Sequence, residues 1–213
     1  MPECSEIHYN MTGNDPSLSD PLYSSCIKLS SSSKLRAAAW TGAGLRSEVL
    51  ALDFDRKVSS FCNVKLNTQP EERYAEDASL LTDGVHSGPF HTTGLWLGYK
   101  ERPLDAVIDL GAPAEISEIH FTSLVDMGAH IMGVSSARAY LSADGKNYTA
   151  TVSENFLEPS ENSGKTICNH TLSFDRQEAR YVRVILQGFP ALPSWHPSAG
   201  ERPFLFVDEI EVN

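Results

Sequence analysis

Several things are scarce in this sequence, and each scarcity removes a class of function. No stretch approaches the ~20 consecutive apolar residues that a membrane-spanning helix needs, and no charged leader followed by an apolar h-region opens the chain. Membrane insertion is therefore not expected. Positive charge is in short supply. Asp and Glu number 28 against 17 Lys and Arg, a net charge of −11. Nucleic acid and anionic lipid both require a basic face, so neither is expected as a partner. The excess is spread along the chain with no run of five like charges, which reads as a solvated surface and not an interaction tail. The four cysteines, Cys4, Cys26, Cys62 and Cys168, include no C-x-x-C pair, which excludes a zinc ribbon or a thioredoxin-type site. Free, mostly buried thiols are the simplest expectation. Cys4–Cys26 is the first pair to examine for a bridge, although four cysteines leave three full pairings open.

Catalytic signatures are missing too. There is no G-x-S-x-G, Walker loop, H-E-x-x-H or G-x-G-x-x-G. His86 and His91 lie five apart across Ser87-Gly88-Pro89-Phe90 and read as ordinary loop residues. The adjacent carboxylates Asp208-Glu209 sit in a strand-like stretch. There, neighbours point to opposite faces and cannot flank one glycosidic bond together. No enzymatic activity is expected of this chain. Three N-x-Thr sequons, at Asn10, Asn147 and Asn169, are compatible with chance.

What is present is β texture. In the first 55 residues, short apolar stretches (6–9, 26–29, 34–40 and 48–52) are separated by runs such as Thr12-Gly13-Asn14-Asp15-Pro16 and Ser30 to Ser33. Alternation punctuated by Gly, Asn, Pro and Ser indicates strands and turns, here a small β-sandwich. From about residue 60 the strand candidates are 106–110, 116–121, 137–142, 147–152, 181–186 and 204–212. Asp144-Gly145 supplies a hairpin turn between two of them. No window longer than about ten residues keeps a helical period. The fold class is all-β, with one or two helical turns at most. Up to eight strands in ~150 residues make a sandwich or jelly roll. The expected division is 1–55 and 56–213.

Six blocks then carry a resemblance: Leu80-Leu81-Thr82-Asp83-Gly84, Trp96-Leu97-Gly98, Val107 to Gly111, Leu141 to Tyr148, Arg180 to Val184, and Phe206 to Val212. In that order they resemble the discoidin, or coagulation factor 5/8 type C, domain, the group that includes family 32 carbohydrate-binding modules. The first segment, through Ile7 to Pro16, Pro21-Leu22-Tyr23 and Leu35 to Trp40, resembles the small fibronectin-like domain near the C-terminus of chitobiase chains. Asn10-Met11-Thr12-Gly13 departs from that pattern, and the resemblance implies that a first strand is missing. The tandem order, with Leu192 to Gly200 before the last strand, is similar to the tail of Bacteroides-type family 20 β-N-acetylhexosaminidases. Together with the abrupt opening Met1-Pro2-Glu3, this implies a catalytic barrel upstream.

The resemblance implies a galactose-binding-like jelly roll in a secreted, periplasmic or cell-surface protein. Its partners would be a glycan and the upstream catalytic domain of the same chain, with the chain itself a monomer. A structural Ca²⁺ is implied at Asp83 and Glu209, because calcium takes six to eight oxygens from carboxylates and loop carbonyls. Glycan contact is implied at loop residues, led by Trp195. That ring lies between Pro193 and Pro197, with His196 adjacent. His91, Arg102 and His130 are further loop candidates, and 125–131 is a loop where the family varies its binding. Trp96 and Trp40 are expected in the core. The rival readings are a structural brace for the catalytic barrel and a protein–protein adhesion module.

Overall fold

The computed structural model describes residues 6–29 and 31–213. The chain forms two compact units, 1–56 and 57–213. The first holds one antiparallel sheet of three strands, β1 (Glu6–Asn10), β2 (Ser33–Trp40) and β3 (Leu50–Phe54), in the order β1-β2-β3. A second, fibronectin-type sheet is not seen among the described residues. The stretch 26–29, expected as a strand, is irregular. The inward face of the sheet carries His8, Ala38 and Trp40, with the His8 and Trp40 rings edge to face at 5.4 Å. The Cys4–Cys26 pairing lies partly outside the described residues. Cys26 is exposed and Cys62 and Cys168 are half-buried, so among the described cysteines the expected burial is partial for two and missing for Cys26.

The second unit is a sandwich built around two very long strands. Its strands are β4 (Asn63–Leu66), β5 (Leu97–Tyr99), β6 (Leu104–Val125), β7 (Val134–Ser142), β8 (Thr149–Asn155), β9 (Thr166–Gly188) and β10 (Leu205–Val212). They run β5-β10-β6-β9-β7-β8, and β4 adds to β6. The first part of β6 (104–109) pairs with β4 and the C-terminal part of β9. The later part (118–125) pairs with the N-terminal part of β9 and with β10. The register slips between Asp109 and Ala114 and again between Ile116 and Glu118. Bulges of this kind bend a strand and increase its twist, so β6 and β9 pass from one layer to the other. At the bend Gly111 takes φ +80°, open to glycine at little steric cost, and its N–H donates to Asp109 Oδ1 at 2.9 Å. Both halves feed one core. Ile108, Val182 and Val184 from one layer meet Ile119, Phe121, Leu172 and Ile210 from the other.

The alternation explains which face is buried. Val182, Val184 and Leu186 are fully buried, while Tyr181, Arg183 and Ile185, which alternate with them, remain half-exposed. Each such buried aliphatic side chain contributes about 1.5–3 kcal/mol. Trp96 is fully buried, its indole N–H donating to the Gly88 carbonyl at 3.2 Å. Two 3-10 turns, Ala78–Leu81 and Met127–Ala129, are the helical content of the described residues.

Candidate functional site

Two regions gather the chemistry of the second unit. The first lies where β10 meets the loop after Ala78–Leu81. Alternation would send Asp208 and Glu209 to opposite faces, but the β10–β6 register shifts between Val207 and Ile210. The bulge aims both carboxylates at one loop. Asp208 Oδ2 accepts from Ser87 N–H at 2.7 Å and its Oδ1 from the Thr122 hydroxyl. Glu209 Oε2 accepts from Gly84 N–H at 3.2 Å. The inference from alternation that these carboxylates diverge is thus overturned by a pairing shift. Both side chains are buried, Asp208 at 1% and Glu209 at 3% exposure.

Burial withdraws water from these carboxylates and favours their neutral forms. It pushes Asp208 up to about 6. Glu209 goes up to about 8, first through burial and then through the negative charge of Asp83. Asp83 is half-exposed, and its Oδ1 accepts from Val85 N–H at 2.8 Å. Two carboxylates that repel across a Gly-containing loop form an all-oxygen, charge-unbalanced donor set, which suits a hard divalent cation. Among the described residues no three His, Cys, Asp or Glu side chains converge on one point. Loop carbonyls would have to complete such a shell.

The second region is one end of the sandwich, formed by loops 126–133 and 189–204. Asp126 and Ile131 exchange backbone hydrogen bonds at 2.9 and 3.0 Å, closing the first loop. His130 caps the Met127–Ala129 turn in the left-handed region, φ 60°, a conformation for which His is among the enriched residues. Phe204 N–H donates to the His130 carbonyl at 2.7 Å and stitches the two loops together. His196 is buried, and both ring nitrogens are used internally. Nε2 lies 3.0 Å from the Met127 carbonyl, and Nδ1 accepts from Ser198 N–H at 3.0 Å. A carbonyl can only accept, so Nε2 carries the proton. The expectation that His196 donates to a glycan is therefore corrected: it is an internal strut.

Trp195 remains half-exposed. It packs on a buried cluster of Val125, Met127, Met132 and Leu192, and its ring centroid lies 5.9 Å from that of His196. The half-exposed His130 ring stands edge-on to His196 at 5.1 Å, with Glu201 at 3.8 Å. The fold thus brings Trp195, His196 and His130 together. His91 packs instead among Tyr74 and Phe206, at 6.2 and 5.6 Å between centroids. Arg102 is exposed on the turn between β5 and β6, where its charge acts on the buried Tyr99 phenol.

Sequence reasoning missed Phe90, which is 57% exposed. Lys165 lies over its ring at 5.0 Å and pairs with Asp126 at 2.8 Å, which ties Phe90 to loop 126–133. Its position after Gly88-Pro89, at a loop tip, was the available signal.

The architecture of 57–213 is a galactose-binding-like jelly roll, a class of β-module. Residues 64–202 match the F5/8 type C domain, and the chain belongs to that family. No curated protein matches. Solved structures similar to it include the Clostridium perfringens module CpGH89CBM32-5 in complex with GalNAc-β-1,3-galactose. That likeness has 18% identity and TM-score 0.48, covering 70% of this chain and 93% of that one. Another is chitosan-binding module 1 of a Paenibacillus sp. IK-5 chitosanase/glucanase (15% identity, TM-score 0.48, 74% and 98% covered). A third is a Streptococcus pneumoniae fucose-binding module (18% identity, TM-score 0.47, 73% and 93% covered).

Proposed function

We propose that this chain is a non-catalytic carbohydrate-binding accessory region, and that its parent is a β-N-acetylhexosaminidase working outside the cytoplasm. The ligand is a galactosyl or N-acetylhexosaminyl glycan, taken at the loop end of the jelly roll. One observation carries the reading: Trp195 is a half-exposed ring on rigid, cross-stitched loops, with the half-exposed His130 in the same cluster. A flat aromatic surface flanked by polar side chains suits a pyranose, whose C–H face is apolar and whose edge is hydroxylated. Family membership supports the same reading. Ca²⁺ between Asp83 and Glu209 is part of the proposal. It would neutralise the two carboxylates and hold loop 82–88 in shape.

The test is a glycan array probed with the whole chain, wild type beside Trp195→Ala, each with calcium and with chelator. Binding to galactosyl or N-acetylhexosaminyl glycans should fall at least tenfold in the variant. A well-folded wild type silent on every glycan would remove the reading.

A second reading, a brace for a neighbouring domain, draws on the first unit. Register places Ile7 beside Ala39, Ala37 beside Leu50, and Leu35 beside Leu52 on one face of its sheet. Ile7, Leu50, Leu52 and Phe54 are all exposed there, by 40% or more. A contiguous apolar face of this kind is what a packed neighbour covers.

A further inference from the structure

The outer face of the layer β4-β6-β9-β7 carries a second concentration of recognition chemistry, away from the loop end. Register fixes its rows. Lys65 lies beside Val107, Val107 beside Arg183, and Arg183 beside Tyr140. One step along, Asn63 lies beside Asp109, Asp109 beside Tyr181, and Tyr181 beside Ser142. These side chains share one face, because the residues that alternate with them along their strands, Ile108, Val182 and Leu141, are in the core. The β7–β8 turn adds Tyr148. The result is an open concavity of ≈ 420 Å³ whose walls include Asn67, Lys65, Tyr148, Tyr181 and Arg183.

Four features set this face apart from an ordinary wet sheet surface. Its polar groups are pre-aimed: Arg183 donates to Asp105 from Nε at 2.9 Å and from a terminal nitrogen at 2.6 Å, and Asn67 donates to the same carboxylate at 2.9 Å. Asp105 itself is buried at 9% exposure. A guanidinium clamped in this way on a buried carboxylate presents its remaining N–H groups in a fixed plane. Its guanidinium charges are balanced in place, Arg183 on Asp105 at 2.6 Å and Arg180 on Asp109 at 2.8 Å, so the exposed Lys65 is added to a face of otherwise paired charges, which suits an uncharged polar ligand better than a strongly ionic one.

Its aromatic rings are held as well. The turn packs onto Tyr181 so closely that a Cβ on Gly145 would lie 3.2 Å from the ring. Tyr148 is half-buried beside Arg183 and Tyr181, close enough for their charges to bear on its phenol. Lastly, the face spans four strands at about 4.8 Å each, so roughly 14 Å between the outer two, room for linked sugars rather than one.

We propose that this face is a second carbohydrate site, which takes the internal stretch of an uncharged oligosaccharide with Tyr148 as its stacking platform and Arg183, Asn67 and Lys65 as donors. The inference rests on the carbohydrate-binding reading but uses a separate surface.

The test is a titration of the isotope-labelled whole chain with the fully N-acetylated, uncharged chitotriose and with N-acetyllactosamine, followed amide by amide by NMR. Wild type, Tyr148→Ala, Arg183→Lys and Trp195→Ala are compared, with spectral dispersion confirming the fold of each. The expected result is shifts at 63–67, 107–109, 145–148 and 181–183 that persist in Trp195→Ala and weaken at least tenfold in Tyr148→Ala. Shifts confined to 126–131 and 189–204, lost in Trp195→Ala, would overturn this inference and leave the loop-end reading standing. A folded wild type that shifts nowhere with either sugar would overturn both.

Discussion

At the scale of single residues, Glu209 carries the clearest consequence. Its folded pKa, about 8, stands above its ordinary 4.5, so the folded chain holds this proton more tightly than the unfolded one. The stability it contributes without metal is complete below about pH 4.5, erodes above that, and is lost as pH rises through 8. Asp208, raised to about 6 from 3.8, has the same sign in a lower window. His170 has the opposite sign. Burial lowers it to about 4 from 6.5, so its contribution is lost as pH falls through 4. The interval from pH 6.5 to 8 therefore isolates Glu209 among these three. In chelator the unfolding free energy should fall across that interval by up to about 1.4 kcal/mol per pH unit, the limit for one proton, and the melting temperature with it. Glu209→Gln should flatten it. Calcium needs the ionised carboxylate, so its stabilisation should grow over the same interval and vanish in Glu209→Gln. A calcium effect that is unchanged in that variant would move the metal elsewhere. His196 gives a second residue-scale prediction. His196→Ala leaves the Ser198 N–H without its acceptor and the Met127 carbonyl with one donor, the His130 N–H, in place of two, and should cost about 1–3 kcal/mol in denaturant unfolding.

At the scale of elements, the β7–β8 hairpin shows a turn fixed by short-range chemistry. The Asp144 carboxylate accepts from Lys146 N–H and Asn147 N–H, both at 2.8 Å, and from the Asn147 side chain at 2.7 Å. These bonds hold its pKa well below the usual carboxylate range. Gly145 adopts φ +70° and lies against Tyr181. Gly145→Ala meets both the left-handed backbone and the ring, and should destabilise by about 1–3 kcal/mol, read as a lower urea midpoint at unchanged slope.

This turn was legible in the sequence because Asp-Gly is a local code, and 181–186 was legible because Val182 and Val184 alternate with Tyr181 and Arg183. What escaped depends on distant partners. β6 read as two strands, since Gly111-Ala112-Pro113 looks like a turn where the chain in fact bulges and continues. β4 and β5 are too short to show a period. The convergence of Asp208 and Glu209 on one loop arises from a register slip that no local pattern encodes. At the loop end, Trp195 stood out as an aromatic between prolines. The neighbouring His196 turns inward to a partner nearly seventy positions earlier, the Met127 carbonyl, which no local pattern announces.

At the scale of the whole molecule, the two units are unequal in what holds them. Among the described residues of 1–56, the buried hydrophobic side chains are Ala38 and Trp40, while 57–213 buries three clusters reaching from Leu81 to Val212. A sheet of three strands with so little apolar cover sits near the lower limit of independent stability. The long strands β6 and β9, paired to each other and to neighbours on both sides, can lose protection only when the jelly roll opens. Amide hydrogen exchange on the whole chain should separate the two. Amides of β1, β2 and β3 should exchange through low-energy local opening, at least tenfold less protected than those of 104–109 and 181–186. Adding calcium should raise protection in β10 and in loop 82–88 and leave β1 to β3 where they were, because the proposed cation touches only the second unit. Equal protection in both units would show that something beyond the buried side chains of 1–56 holds its sheet, and its exposed Ile7, Leu50, Leu52 and Phe54 would be the first place to look for it.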